Sequence, residues 1–148
     1  MSYHEKRGVM NIVTAILIFG GYAYYAWGRI PEGEISVEEQ LQFWAKMVLL
    51  LIPFSIVGRI VAHILWAIGY RIATGEDIPS REDERDKLIE LRAMARSQWI
   101  FILSFFLGLG FIAMLKPVYL LFVTVAVGGL ISDVFSEVVR MYFYRRGF

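Results

Sequence analysis

The chain has 148 residues, of which 57% are hydrophobic and 16% aromatic, with a formal net charge of +1 and no cysteine. This apolar share exceeds the roughly 45–50% of soluble domains and indicates a single small membrane domain. A chain without cysteine has no disulfide, no thiolate metal site and no thiol redox chemistry.

The first apolar span covers residues 9–27, and only Asn11 and Thr14 interrupt it. It ends in tyrosines and a tryptophan, which suit the aromatic belt of a membrane interface. Lys6 and Arg7 precede it, as in a signal peptide. The residues that follow the apolar stretch are bulky, however, unlike the small residues of a cleavage site. We therefore expect a retained membrane helix.

The second span covers residues 41–70 and is longer than the roughly 20 residues that a bilayer requires. Pro53 is expected to kink it. Its second half contains Arg59 and His63, which are spaced i, i+4 and therefore share one face of the helix. A charge at bilayer depth costs about 2.5–3.5 kcal/mol on insertion scales, so we expect these groups to have partners.

A polar segment, residues 80–97, precedes the third span at 98–115. Ser80 is suited to be an N-cap and Asp83 to stand at the third helical position, so we expect one helix that continues into the span. An apolar stripe follows this helix and should dock on the bundle, on a second subunit or at the membrane surface. Its members are Leu88, Leu91, Ala95 and Trp99.

The start of this helix is acidic. Its carboxylates are Glu82, Asp83, Glu84, Asp86 and Glu90. Oxygen ligands of this kind bind divalent cations, but the spacing of an EF-hand is missing. We favour a capped, solvated helix start and expect no metal site.

The same segment contains the run Asp83-Glu84-Arg85-Asp86-Lys87-Leu88-Ile89-Glu90. It resembles a D-E-R-D-x-L-I pattern that occurs before the third span in small four-span bacterial membrane proteins of unknown function. Such proteins are often encoded beside small helix-turn-helix regulators. The resemblance covers this motif and the four-span layout, and it supplies no catalytic residues. It implies a bacterial or archaeal inner-membrane protein with a cytoplasmic regulatory protein as partner.

The fourth span covers residues 117–144, and only Lys116 and Pro117 separate it from the third, so the two should form a tight antiparallel hairpin. Asp133 and Glu137 are spaced i, i+4 within it, and Arg140 follows one turn later.

Small residues recur at every fourth position of the fourth span. They are Thr124, Gly128, Ser132 and Ser136. Such a ladder lets helices approach closely, either inside the bundle or between subunits. Ser104 and Gly108 form a shorter match in the third span that is suited to face it. We expect a homodimer, because four helices make a thin bundle.

The distribution of basic residues predicts the orientation. The N-terminal flank, the middle loop and the C-terminal tail are basic, with Lys6, Arg7, Arg71, Arg81, Arg85, Lys87, Arg92, Arg96, Arg145 and Arg146. The first loop has only Arg29 against Glu32, Glu34, Glu38 and Glu39. The positive-inside rule then places both termini and the middle loop in the cytoplasm.

The two pairs of ionisable residues overlap in depth. At 1.5 Å per residue, Arg59 and Asp133 lie roughly 18 and 22 Å from the outer boundary, and His63 and Glu137 roughly 24 and 28 Å. Contacts between Arg59 and Asp133 and between His63 and Glu137 are therefore allowed by the geometry. Such a cluster can serve as a proton relay, an ion path or an anchor for a headgroup. Alternatively, the pairs neutralise each other and fix the register, or Arg140 neutralises the acids within its own helix.

His63 is a weak candidate for a haem or metal ligand, because a site requires further ligands. The other histidine, His4, belongs to a tail that we expect to be mobile. We therefore expect no cofactor and interpret His63 as a titrating partner of Glu137.

Residues 1–148 are thus predicted to form a single all-α membrane domain, a four-transmembrane-helix bundle with both termini inside. The sequence contains no nucleophile–base pair, phosphate loop or nucleic-acid signature, so we expect neither an enzyme nor direct nucleic-acid binding. We favour a non-enzymatic regulatory or scaffold protein that engages a cytoplasmic partner. The alternative is a small proton- or ion-coupled channel or transporter that uses the intramembrane cluster.

Overall fold

The computed structural model describes residues 3–33, 35–75 and 83–146. Within these ranges the chain is all-α, without strands, as predicted. The helices are α1 (Tyr3–Trp27), α2 (Val37–Thr74), α3 (Glu84–Ala113) and α4 (Tyr119–Arg146). Each helix is long and apolar enough to cross a membrane. Glu34 of the first loop and Ser80, Arg81 and Glu82 of the polar segment lie outside the described ranges.

Both ends of α2 are capped by local sequence. Ser36 accepts a hydrogen bond from the backbone of Glu39 at 3.2 Å, and the Glu39 side chain accepts one from the backbone of Ser36 at 3.1 Å. This capping box satisfies two donors that the first turn would otherwise leave unpaired. At the other end Gly75 adopts the left-handed conformation, with φ 71°. Between these caps α2 continues as a helix through Pro53.

The helix predicted to start at Ser80 begins at Glu84 instead. Asp83 is the N-cap, and it forms a capping box with Asp86, whose carboxylate accepts the Asp83 N–H at 3.2 Å. Asp83 therefore stands at the helix start and not in its first turn. From there α3 continues without interruption to Ala113, so residues 84–97 of the polar segment and the third span form one helix, as predicted.

α4 is the central helix. It packs against α1, α2 and α3, and α1 also packs against α2. In the described part of the chain, the backbone of α3 does not approach that of α1 or α2. α3 therefore lies on one side of α4, and α1 and α2 lie on the other.

The small residues of α4 lie against α3. A Cβ atom at Gly128 would overlap the side chain of Ser104, and one at Gly108 would be 2.8 Å from Leu121. The Ser132 hydroxyl donates to the backbone carbonyl of Ser97 at 2.7 Å. Gly128 and Ser132 of the small-residue ladder therefore pack against α3 of the same chain. The homodimer stays a prediction, with its interface to be sought on another face.

The buried face of α3 is not the predicted stripe. Ile89 and Ala93 are fully buried and Ser97 nearly so, whereas Leu88, Leu91 and Trp99 are exposed. Ala95 is exposed as well. Within the described residues the stripe thus does not dock on the bundle. Docking on a second subunit or at the membrane surface, the other two alternatives, stays a prediction. Small side chains at Ala93 and Ser97 allow α4 to approach, which the bulkier stripe does not.

The tail predicted to be mobile is helical from Tyr3 onwards. The imidazole of His4 stacks on the ring of Tyr144, with 4.1 Å between ring centroids and 12° between planes. Tyr3 contacts Tyr70 edge to face at 5.2 Å. Aromatic contacts of this kind tie the first turn of α1 to the ends of α2 and α4.

Candidate functional site

Arg59 of α2 and Asp133 of α4 form a two-pronged ion pair. Arg59 Nη1 donates to Asp133 Oδ1 at 3.3 Å, and Nη2 donates to Oδ2. Bidentate pairing of this kind fixes the orientation of both side chains. The pair is nevertheless open on its outer side, since 44% of the Arg59 side chain and 30% of the Asp133 side chain are exposed.

Glu137 is the most deeply buried charged residue of the site, with 8% of its surface exposed. Its Oε1 atom accepts a hydrogen bond from Asn11 Nδ2 at 3.0 Å. Nη1 of Arg140 lies 3.4 Å from the same oxygen. Asn11 belongs to α1, so this carboxylate joins α1 to α4. A polar Asn11 inside an apolar span indicates that this side chain needs a polar partner. Nothing in the sequence, however, identifies Glu137 as that partner.

Arg140 connects two carboxylates. Besides Glu137, its Nη2 atom donates to Glu90 Oε1 on α3 at 2.9 Å. The proposal that α4 neutralises itself therefore holds for Glu137, while Asp133 is paired with Arg59 instead. Arg140 also fastens α3 to α4 at the level of Glu137.

His63 is not joined to Glu137. Within the described residues, no hydrogen bond or ion pair connects the two side chains. The predicted titrating pair is therefore absent, and Oε1 of Glu137 is bound by Asn11 and Arg140 instead. His63 instead lines a cleft together with Arg59.

This cleft lies between α2 and α3 and has α4 as its floor, with a volume of about 460 Å³. Its α2 wall consists of Arg59 and His63, and its α3 wall includes Met94 and Phe101. The charged residues that line it include three arginines and three carboxylates, namely Arg7, Arg59, Arg140, Glu90, Asp133 and Glu137. A volume of this size is in the range of small-molecule sites.

A second, smaller cavity of about 30 Å³ lies on the α1 side of Glu137, where His4, Gly8 and Tyr144 contribute to its lining. Two buried atoms have no hydrogen-bond partner among the described residues at this point, Oε2 of Glu137 and Nε of Arg140. The cavity has room for about one water molecule, which would offer both a donor and an acceptor.

The residues of the Asp83–Glu90 motif cap α3, bind α4 or are exposed. Asp83 and Asp86 cap α3, and Oδ1 of Asp86 also accepts the Tyr144 hydroxyl at 3.0 Å. Glu90 binds Arg140. The side chains of Glu84 and Arg85 are exposed. The acidic residues of one helical face thus hold α3 on α4, and in the described ranges no group of three or more His, Asp or Glu side chains is arranged to hold a metal ion.

Comparison with protein-family models, curated proteins and solved structures finds no match to this chain.

Proposed function

We propose that the chain is a multi-pass protein of a bacterial or archaeal cytoplasmic membrane that acts as a non-enzymatic regulatory or scaffold protein. In this proposal both termini and the start of α3 lie in the cytoplasm, where α3 binds a soluble protein partner. The observation that carries it is the uncovered apolar stripe on the N-terminal half of α3.

The register of α3 and α4 supports this arrangement. Ser97 lies opposite Ser132, and the predicted third span begins one residue after Ser97. The two helices then reach the cytoplasmic boundary at the same level. Everything before Ser97 on α3 and after Ser132 on α4 then extends into the headgroups or the cytoplasm. This proposal therefore places Asp133 and Glu137 at headgroup level, whereas the depth estimate from the sequence placed them at the inner end of the hydrocarbon.

The stripe continues past that level. Trp99, 66% exposed, is at the height expected of an interfacial tryptophan. Leu91 and Leu88 lie roughly 9 and 14 Å beyond Ser97 along the helix, on its cytoplasmic side. They are exposed as well, and acyl chains do not reach them there. A protein surface is the remaining way to cover these leucines.

The charged residues around these leucines indicate the chemistry of the partner. Arg85 and Lys87 flank Leu88 and are exposed, as is Glu84. Asp86 and Glu90 face α4 and are taken by Tyr144 and Arg140, so they are not offered to a partner. The partner should therefore present an apolar patch bordered by acidic side chains.

Quantitative affinity capture from natively expressing cells tests the proposal. Leu91→Gln should reduce recovery of a soluble partner at least about tenfold, since it places a polar group at the centre of the stripe. Leu115→Gln is the matched control, because Leu115 is also exposed but lies in the turn at the other end of α3. Equal recovery with both variants, or no partner with the unmodified chain, would argue against this function.

The orientation has its own test. The chain has no cysteine, so single-cysteine variants can be labelled without background. A membrane-impermeant maleimide applied outside intact cells should label Leu115→Cys and spare Leu91→Cys. The reverse pattern would place α3 outside and remove the cytoplasmic partner.

A second candidate, the ion- or proton-coupled transporter, is favoured by one observation. Glu137 lines both the cleft and the small cavity and has a buried, unpartnered carboxylate oxygen. A carboxylate between two polar cavities is suited to exchange protons. We rank the transporter second because the cleft lies at one end of the helices and does not follow their length, as a transport path would. Flux in proteoliposomes across about pH 5–8 that is lost in Glu137→Gln would raise it to first.

A further inference from the structure

The Arg59–Asp133 pair requires polar surroundings that the chain itself does not complete. Its outer side is exposed, with 44% of the Arg59 side chain and 30% of the Asp133 side chain uncovered. Acyl chains offer no hydrogen bonds to such groups. A guanidinium has five N–H donors and a carboxylate about four lone pairs, so the pair still has hydrogen-bonding capacity.

The cleft in which this pair lies opens sideways. Its walls are α2 and α3, whose backbones do not approach each other in the described ranges. Asp133 follows directly after Ser132, which marks the proposed cytoplasmic boundary. In this placement the opening faces the headgroup layer of the inner leaflet. Ile56 and Ile52, exposed on α2 about one and two turns from Arg59 and farther into the bilayer, provide a surface for acyl chains.

The charges around the cleft are balanced. Its lining includes as many arginines as carboxylates. An anionic headgroup would meet Glu90, Asp133 and Glu137 as well as the arginines. A headgroup with a phosphate and an ammonium group matches both signs. The ammonium is favoured over a quaternary amine, because only N–H groups donate to the open lone pairs of Asp133.

We infer that this cleft binds the headgroup of a zwitterionic phospholipid with a primary ammonium group, such as phosphatidylethanolamine. The phosphate lies against Arg59, and the ammonium group lies against Asp133. The volume of about 460 Å³ accommodates such a headgroup. This inference rests on the membrane placement proposed above and is independent of the protein partner.

Native mass spectrometry of the full chain, released from nanodiscs with equal amounts of three lipids, tests the inference. Phosphatidylethanolamine should be retained about tenfold over phosphatidylcholine, which has the same phosphate but no N–H donor. It should also exceed phosphatidylglycerol, which has no cation. Equal retention of the three lipids, a preference for phosphatidylglycerol, or retention of none would overturn the inference.

Variants locate the site. Asp133→Asn should abolish the preference over phosphatidylcholine, and Arg59→Gln should reduce retention of both lipids. Arg29→Gln is the matched control, because Arg29 stacks on Tyr25 away from the cleft. A preference unchanged in Asp133→Asn would contradict the inference.

Soluble phosphoethanolamine that binds as tightly as the lipid would assign the cleft to a free metabolite. Because the comparison of lipids uses the unmodified chain, unfolding of a variant leaves the test intact.

Discussion

The phenolic hydroxyl of Tyr144 donates a hydrogen bond to Asp86 Oδ1 at 3.0 Å, and Asp86 Oδ2 accepts the backbone N–H of Asp83 at 3.2 Å. One carboxylate thus completes the cap of α3 and also ties this helix to the end of α4. The Tyr144 ring is in turn stacked on His4. The starts of α1 and α3 and the end of α4 are therefore linked through adjacent side chains.

Tyr144→Phe should lower the free energy of unfolding by about 1.5–3 kcal/mol, because it removes a hydrogen bond to a charged acceptor. The ring stays, so the stacking on His4 is preserved. Hydrogen exchange should show faster exchange in the first turns of α3. Tyr142→Phe is the control, since no hydrogen bond of the Tyr142 hydroxyl is found in the described structure. Equal effects of the two variants would contradict the role assigned to the hydroxyl.

Gly128→Ala should separate α3 from α4, because the added methyl group would overlap the side chain of Ser104. Overpacking of this kind costs about 1–3 kcal/mol, measurable by denaturant unfolding in micelles. Ser104→Gly in the same chain should restore most of the loss. Gly129→Ala, whose nearest neighbour would be Phe101 at 3.9 Å, should be close to neutral. If both alanine variants were neutral, the close approach would not be a constraint.

Arg59→Gln should lower the free energy of unfolding by about 1–3 kcal/mol, because Asp133 loses its charged donor. Adding Asp133→Asn should recover part of the loss, since two neutral amides replace an unpaired charge. A thermodynamic cycle of the two single variants and the double variant measures the coupling. Losses that simply add would mean that the ion pair contributes nothing.

Leu115→Gly should raise the free energy of unfolding by about 1 kcal/mol. Leu115 follows the end of α3 with φ 54°, and Lys116 N–H donates to the Phe111 carbonyl at 3.0 Å. This is the geometry in which helices commonly use glycine, since other residues are strained there. Met114→Gly, at φ −86°, should destabilise instead. Thermal unfolding of the two variants in micelles compares the signs.

Composition and hydropathy were sufficient to predict four helices, because long apolar stretches are a property of the local chain. The continuity of the polar segment with the third span could also be predicted. Its start could not be predicted, since Ser80 and Asp83 are both suited to be N-caps. The cap at Asp83 is completed by Asp86, which also accepts a hydrogen bond from Tyr144 on the distant α4.

The face of α3 that packs on α4 could not be predicted for a related reason. Counting apolar residues favours Leu88 and Leu91, but α4 packs where Ala93 and Ser97 let it come close. Small side chains contribute little to a hydrophobic pattern. In the polar site, the sequence offered Glu137 several partners at a suitable depth. One partner, Arg140, could be proposed from the sequence because it lies one turn away on the same helix. The other, Asn11, is 126 residues away in the chain, and only the packing of α1 on α4 reveals it.

α2 has no buried residue along its 38 positions, although it supplies both polar side chains of one cleft wall. Its constraints are therefore unevenly distributed. Over evolutionary time most of its apolar positions are free to drift among Leu, Ile and Val, because any of them suits lipid. Arg59 is not free in this way, because it is paired with Asp133. Divergent homologues should thus retain an arginine at this position inside an otherwise variable helix.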